Sequence, residues 1–208
     1  DDVVWGCVSQ TGEQAVNVAR NAVLAAGWPE DVVGMTIDRQ CGSSQQAVHF
    51  AAQAVMSGTS DLIVAGGVQN MSAIPISSAM TLAQPLGFPD PFSGSKGWVA
   101  RYGAGEVSQF RGAEMIAEKW DITREDMESF AFESHQRAIR AIDEGRFENE
   151  IAPFGDVRSD EGPRRDTSRE KMAKLKTLLP DGRLTAAVSS QISDGASAML
   201  IASERAVK

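Results

Sequence analysis

The order of apolar runs and turn residues in the first third of the sequence predicts an α/β fold, a sheet covered by helices. Apolar, β-branched runs at residues 3–8, 35–38 and 61–65 alternate with two stretches rich in helix formers. The first stretch stops at Gly27, with Pro29 beyond it, and the second at Ser57-Gly58. The run Leu62-Ile63-Val64-Ala65 shows no polar alternation before Gly66-Gly67, which suits a strand buried on both faces.

Taken in order, residues 3–8 read as a strand, 13–26 as a helix, 35–38 as a short strand, 43–56 as a helix and 61–65 as a strand. In the second helix Ala47, Val48, Phe50, Ala51, Ala52, Ala54, Val55 and Met56 leave only Gln45, His49 and Gln53 as a polar stripe. This predicts a helix covered from more than one direction, as in a layer between two sheets. From Ser72 the character changes. Pro75, Pro85, Pro89 and Pro91 precede Ser93-Gly94-Ser95-Lys96-Gly97, so a loop-rich insertion begins here. Within it, helices are expected at about 106–119 and 124–145. The second opens at Thr123, with Asp126 three positions on as an acidic form of the capping box. Small and apolar residues return at 184–202 around the turn signal Ser193-Asp194-Gly195, where the sheet resumes. The expected division is therefore 1–72 with 186–208 as one domain and 73–185 as the other.

Composition narrows the function classes. With 208 residues, 42% of them apolar, the chain can bury a substantial core. A formal net charge of −8 disfavours a nucleic-acid binder. Its apolar runs are strand-sized, far short of the roughly 20 residues that span a bilayer, so no membrane partner is expected. Two cysteines, Cys7 and Cys41, are too few for a disulfide framework or a cysteine-based zinc site, and a cytoplasmic location is expected. No cluster of metal ligands occurs. The chain opens on Asp1-Asp2 and runs straight into a strand, and it closes on an apolar run followed by Ser203-Glu204, so both ends read as continuing into something longer.

The strongest site signal is Asp38-Arg39-Gln40-Cys41-Gly42-Ser43-Ser44, a cysteine between a strand and the apolar helix. A thiol at a helix N-terminus meets unpaired N–H groups and the positive end of the helix dipole, which favour the nucleophilic thiolate. Gly42 lets a substrate approach, and the Cys41 N–H is a candidate oxyanion donor. A buried structural cysteine is the alternative reading. Cys7 reads as structural. Of the two histidines, His49 lies two turns along the same helix, roughly 12 Å away by axial rise, and His135 belongs to an amphipathic stretch. A nucleophile is thus present without an evident base. Eight basic and five acidic residues between Arg158 and Arg183 make a local +3 in a chain of −8, either a seat for a phosphorylated ligand or a solvated face.

Two motifs together, Gln40-Cys41-Gly42-Ser43-Ser44-Gln45-Gln46-Ala47 and Asp61-Leu62-Ile63-Val64-Ala65-Gly66-Gly67-Val68-Gln69-Asn70-Met71-Ser72, make the chain resemble the thiolases, the acetyl-CoA acetyltransferases and 3-ketoacyl-CoA thiolases. Thr123 to Phe154 resembles the family's loop-domain helix, and Ser193-Asp194-Gly195-Ala196-Ser197-Ala198 its SDGAAA turn. The resemblance covers essentially the whole chain. It implies the N-terminal half of an αβαβα-layered fold with an inserted loop domain, the C-terminal half being absent. It also implies that Cys41 takes up the acyl group as a thioester, and that residues 73–185 hold CoA. Arg164 and Ser190 fall where the family contacts the nucleotide and pantetheine parts. CoA and acyl-CoA would be substrates, with no tightly bound cofactor and no metal, and the assembly a homodimer or homotetramer. Gln69 stands where many members have Glu, and Ala187-Val188 replace a common Gly-Asn; altered pocket shape is the expected effect. Steroid-degrading actinobacterial members are one type the chain resembles. The family's histidine, asparagine and second cysteine lie in the half not represented here. Two rivals stand beside this reading: a non-catalytic binding or assembly subunit of thiolase descent, and a cysteine hydrolase, which would need a histidine within reach of Cys41.

Overall fold

Consecutive apolar residues commit β1 (Asp2–Gly6) to a strand with both faces occupied. Val3 and Trp5 turn to one side, where they pack with Ala19, Val23, Val32 and Val64, and Val4 turns to the other, against Ala47, Ala51, Ile63 and Ala65. The computed structural model describes residues 1–208. Two compact units divide it, Asp1–Arg101 with Ile192–Lys208, and Tyr102–Gln191. The division expected from the sequence, at 73 and 185, differs by the Pro-rich stretch up to Arg101, which belongs with the first unit, and by residues 186–191, which belong with the second.

In the first unit the chain runs β1, α1 (Val18–Ala25), β2 (Val33–Ile37), α2 (Ser43–Met56), β3 (Leu62–Gln69), then the short helices α3 (Ser78–Thr81) and α4 (Lys96–Tyr102), which ends at the boundary. Strand order is β2-β1-β3-β4, with β4 (Gly195–Ala202) entering antiparallel to β3 and the rest parallel. The chain steps from β1 to β2 and then back across β1 to β3. Right-handed crossovers in opposite directions place α1 and α2 on opposite faces.

Two sequence expectations are corrected. The helix expected at 13–26 is only Val18–Ala25. Val16 adopts φ +69°, which no helix tolerates, and Asn17 caps the helix by accepting from the Arg20 N–H at 3.1 Å. Gln14, a good helix former, is buried elsewhere: it donates to Ser9 O at 2.8 Å and accepts from the Asn70 N–H at 2.6 Å. The strand expected to end at Ala65 continues through Gly66-Gly67 to Gln69, because β4 pairs with it along its whole length. The sheet covers one face of α2, and Phe50 and Met56 are 41% and 86% exposed.

Two glycines permit close approach, Gly66 between neighbouring strands and Gly67 between the sheet and α2. A Cβ on Gly66 would lie 2.0 Å from Ser197 O, and one on Gly67 would lie 2.1 Å from Ser44 Oγ. The chain leaves the sheet after β3 and returns to it at β4, and just inside these two points the Asp194 carboxylate accepts the Ser72 N–H at 2.8 Å. This bond holds the Asp194 carboxyl below its usual range.

The second unit holds α5 (Gln109–Lys119), α6 (Arg124–Asp143) and α7 (Arg169–Ala173). Thr123 and Asp126 form the expected capping box, with Thr123 N–H donating to Asp126 Oδ2 at 3.0 Å and Asp126 N–H to Thr123 Oγ1 at 3.1 Å. Glu114 of α5, only 4% exposed, accepts the Arg183 and Leu184 N–H groups at 2.6 and 2.8 Å. A last short helix, α8 (Glu204–Val207), follows β4 in the first unit.

Gly66→Ala should destabilise the chain by about 1–3 kcal/mol, since the clash is with backbone that cannot swing aside. Gly112→Ala, mid-helix in α5 with open space around it, should instead stabilise by about 0.5–1 kcal/mol. Urea denaturation of both variants checks the pair; equal effects would contradict the role given to Gly66.

Candidate active site

In an open α/β sheet, ligands bind outside the carboxyl ends of the strands where the strand order reverses. Here that point lies between β1 and β3, and a cavity of about 460 Å³ occupies it. Its walls are the exits of β1 (residues 6–8) and β3 (67–69), the entry of β4 (195–197), and the β2–α2 elbow with Gln40, Cys41, Ser43 and Ser44.

The elbow is tightly specified. Gln40 sits at φ +48°, a left-handed conformation that a side chain rarely adopts. Asp38 compensates by accepting the Gln40 N–H at 2.8 Å. Ser43, 5% exposed, accepts the Arg39 N–H at 2.9 Å and donates to Gln40 O at 2.6 Å. The Arg39 guanidinium reaches forward to Gln46 Oε1 on α2. The result is a short loop that sets Cys41 one residue before the Gly42 N-cap of α2, with its side chain exposed. A Cβ on Gly6 would lie 2.5 Å from Ser44 N, so the absence of one lets the first turn of α2 rest directly on the end of β1.

Cys7 follows β1 and lines the same cavity, yet its environment is opposite. It is 2% exposed, its N–H donates to Ile37 O at 3.0 Å, and its thiol faces Gln69 Oε1 at 3.9 Å. Burial pushes the Cys7 thiol pKa up, and the nearby Asp38 carboxylate adds to the rise. Gln69 was read from the sequence only as a departure from a pattern. Its place in the cavity wall follows from register, since β1 and β3 end side by side with Gly6 opposite Gly67.

No histidine lines this cavity. His49 is on the exposed face of α2, two turns from Cys41. His135 belongs to α6, where its Nδ1 accepts the Arg164 N–H at 3.2 Å. Arg164 and Ser190 both lie in the second unit and both are exposed. Gly162 approaches the Gln191 amide so closely that a Cβ would sit 2.5 Å from Nε2, so the loop carrying Arg164 runs beside the segment carrying Ser190. Cys41 lies in the other unit. Of the basic island, Arg165 is paired with Asp143 at 2.6 Å and Lys171 with Asp166 at 3.4 Å, while Arg158, Arg164 and Lys176 form no ion pair.

Comparison with known proteins adds a separate line of evidence. A family model described as thiolase, N-terminal domain, matches residues 1–205. Among curated relatives, the steroid 3-ketoacyl-CoA thiolase FadA6 of Mycobacterium tuberculosis is 62% identical over 212 residues, covering 100% of this chain and 52% of its own length. A 3-ketoacyl-CoA thiolase of Shewanella loihica is 39% identical over 224 residues, covering 100% and 54% respectively. Among solved structures, the Bacillus anthracis acetyl-CoA acetyltransferase matches with a TM-score of 0.73 at 33% identity, over 100% of this chain and 55% of that one. The chain thus spans about half the length of the curated relatives it matches.

The two thiols should differ sharply in reactivity. Iodoacetamide applied to native protein should modify Cys41 well before Cys7, because Cys41 is exposed at a helix start and Cys7 is buried with a raised pKa. Peptide mapping reads the order directly, and preferential labelling of Cys7 would remove Cys41 from its assigned role.

Proposed function

The chain belongs to the thiolase family, and from that premise we propose that it carries the nucleophile and the CoA-binding insertion of a 3-ketoacyl-CoA thiolase or acetyl-CoA acetyltransferase. One observation supports the reading most: the exposed Cys41 stands at the start of α2 and in the wall of the cavity at the strand-order reversal.

The chemistry follows from that placement. Cys41 thiolate attacks the 3-keto carbonyl, and its own N–H is the proposed donor to the developing oxyanion, since the Gly42 and Ser43 N–H groups are already held by Arg39 O and Gln40 O. Collapse breaks the bond between C2 and C3. The acyl group stays on sulfur as a thioester, and acetyl-CoA leaves once its carbanion has taken a proton. The thiolate of a second CoA then displaces the acyl group and regenerates Cys41. With no histidine on the cavity wall, the base that activates the thiol and the acid that protonates the leaving carbanion come from outside these residues. CoA thioesters are the substrates of the family. For this chain a steroid-type acyl group is the proposed substrate, supported by the name and the 62% identity of the mycobacterial relative. Arg164 and Ser190 are proposed to hold the nucleotide and pantetheine parts of CoA, and assembly as a homodimer or homotetramer in the cytoplasm completes the reading. A non-catalytic binding subunit is not favoured, since the relatives carry the names of acyltransferases.

Thiolysis of acetoacetyl-CoA, followed by loss of the 3-keto thioester absorbance, tests the assignment. The 208-residue chain alone should show no turnover. Completed with a thiolase C-terminal half it should turn over, and Cys41→Ala should abolish that activity. Turnover by the isolated chain on the order of 10 per second, lost in Cys41→Ala, would mean that the base lies within it and would return His49 and His135 to consideration.

Arg164→Glu should weaken binding of CoA more than binding of dephospho-CoA, as expected if the guanidinium meets the nucleotide phosphate. Calorimetric titration of both ligands decides it; equal loss would place the phosphate contact elsewhere.

A further inference from the structure

Gln69 ends β3 in the wall of the Cys41 cavity, and its side chain is used in an unusual way. Its Oε1 accepts the Val8 and Ser9 N–H groups, each at 3.2 Å, and the Cys7 thiol faces the same oxygen at 3.9 Å. All three donors belong to the segment that leaves β1 and forms the facing wall. Turning the amide over would set an NH2 group against two N–H donors, so the orientation is forced. Nε2 is then left buried without an acceptor, a state that costs stability.

A glutamate at this position would keep both backbone bonds, make them charge-assisted and strand no donor. Anchoring alone therefore favours a carboxylate. What the amide adds is neutrality. The groups beside the cavity that carry or can carry charge are Asp38 and Arg39, next to Gln40 in the elbow, Cys7 after β1, Asp194 next to Gly195 of β4, and Glu13, which accepts from the Asn70 amide at 3.2 Å; His49 lies two turns further along α2. Arg39 is engaged with Gln46, Asp38 with the Gln40 N–H, and Asp194 with the Ser72 N–H. The cavity wall supplied by residues 67–69 has no charge of its own. An anion there would oppose formation of a thiolate on the same cavity.

We propose that Gln69 is a positioning residue of the Cys41 cavity: its amide oxygen anchors the chain leaving β1 as one wall, and its amide character keeps that wall uncharged for the thiolate. The second half rests on Cys41 being the nucleophile, whereas the first does not, and two readouts separate them. Amide exchange at Val8 and Ser9 reports the anchor. The pH dependence of Cys41 alkylation by iodoacetamide reports the charge.

In Gln69→Met the two N–H groups lose their acceptor, and exchange at Val8 and Ser9 should accelerate by about tenfold or more. In Gln69→Glu the same amides should stay as protected as in the parent chain, while the midpoint of Cys41 alkylation rises by roughly half a pH unit or more. Unchanged exchange in Gln69→Met would overturn the anchor. An unchanged alkylation midpoint in Gln69→Glu would overturn the effect assigned to the uncharged amide. Should Gln69→Met fail to fold, Gln69→Glu decides alone: fast exchange at Val8 and Ser9, or an unmoved midpoint, refutes the proposal. If Cys41 in the parent chain proves unreactive, the fault lies with the nucleophile assignment, and the exchange result still judges the anchor.

Discussion

Everything at the site depends on how closely the first turn of α2 lies on the ends of β1 and β3. Side chains at Gly6 or Gly67 would drive into Ser44 and the neighbouring backbone at 2.5 and 2.1 Å, so the helix would have to lift away from the sheet. With both positions bare, the elbow between β2 and α2 is drawn over the strand ends. It carries Cys41 to the mouth of the cavity. The Ser43 hydroxyl, bonded on both sides, and the left-handed Gln40 then leave the elbow little freedom. Local strain is tolerated because the surrounding contacts over-determine the loop.

The same geometry makes two chemically identical thiols behave differently. Both face one cavity, but Cys7 enters it from the strand side, under the elbow, where solvent is excluded and Asp38 is near. Cys41 enters from the helix side, exposed to solvent one residue before the N-cap of α2. Placement on the fold, and not residue type, separates an inert thiol from a candidate nucleophile.

The βαβαβ rhythm was legible because fully buried strands and glycine-stopped helices leave strong local marks, and α2 was bounded correctly at Ser43 and Met56. Cys41 could be singled out by its position before a helix. The start of α1 was not legible, since Glu13 and Gln14 are good helix formers that tertiary bonds recruit elsewhere, and nothing local announces the positive φ of Val16. The extension of β3 through two glycines was hidden for a related reason: those residues are required by partners distant in sequence, Ser197 and Ser44. Gln69 shows the limit most clearly. Its role depends on strand register, which sets the end of β3 beside the end of β1, and no pattern within the segment 61–72 reports that.

The bond between Asp194 and Ser72 has a topological meaning. It closes the point at which the chain departs from the sheet and the point at which it returns, so the long excursion between them is a loop with its ends already joined. The entropy of closing a loop grows only with the logarithm of its length, about 0.6 kcal/mol for each doubling. Lengthening, shortening or exchanging the excursion therefore costs the sheet little. A chain built this way can exchange what lies between Ser72 and Asp194 while the strand ends, the elbow and its cysteine stay as they are, so the insertion and the sheet are free to diverge at different rates.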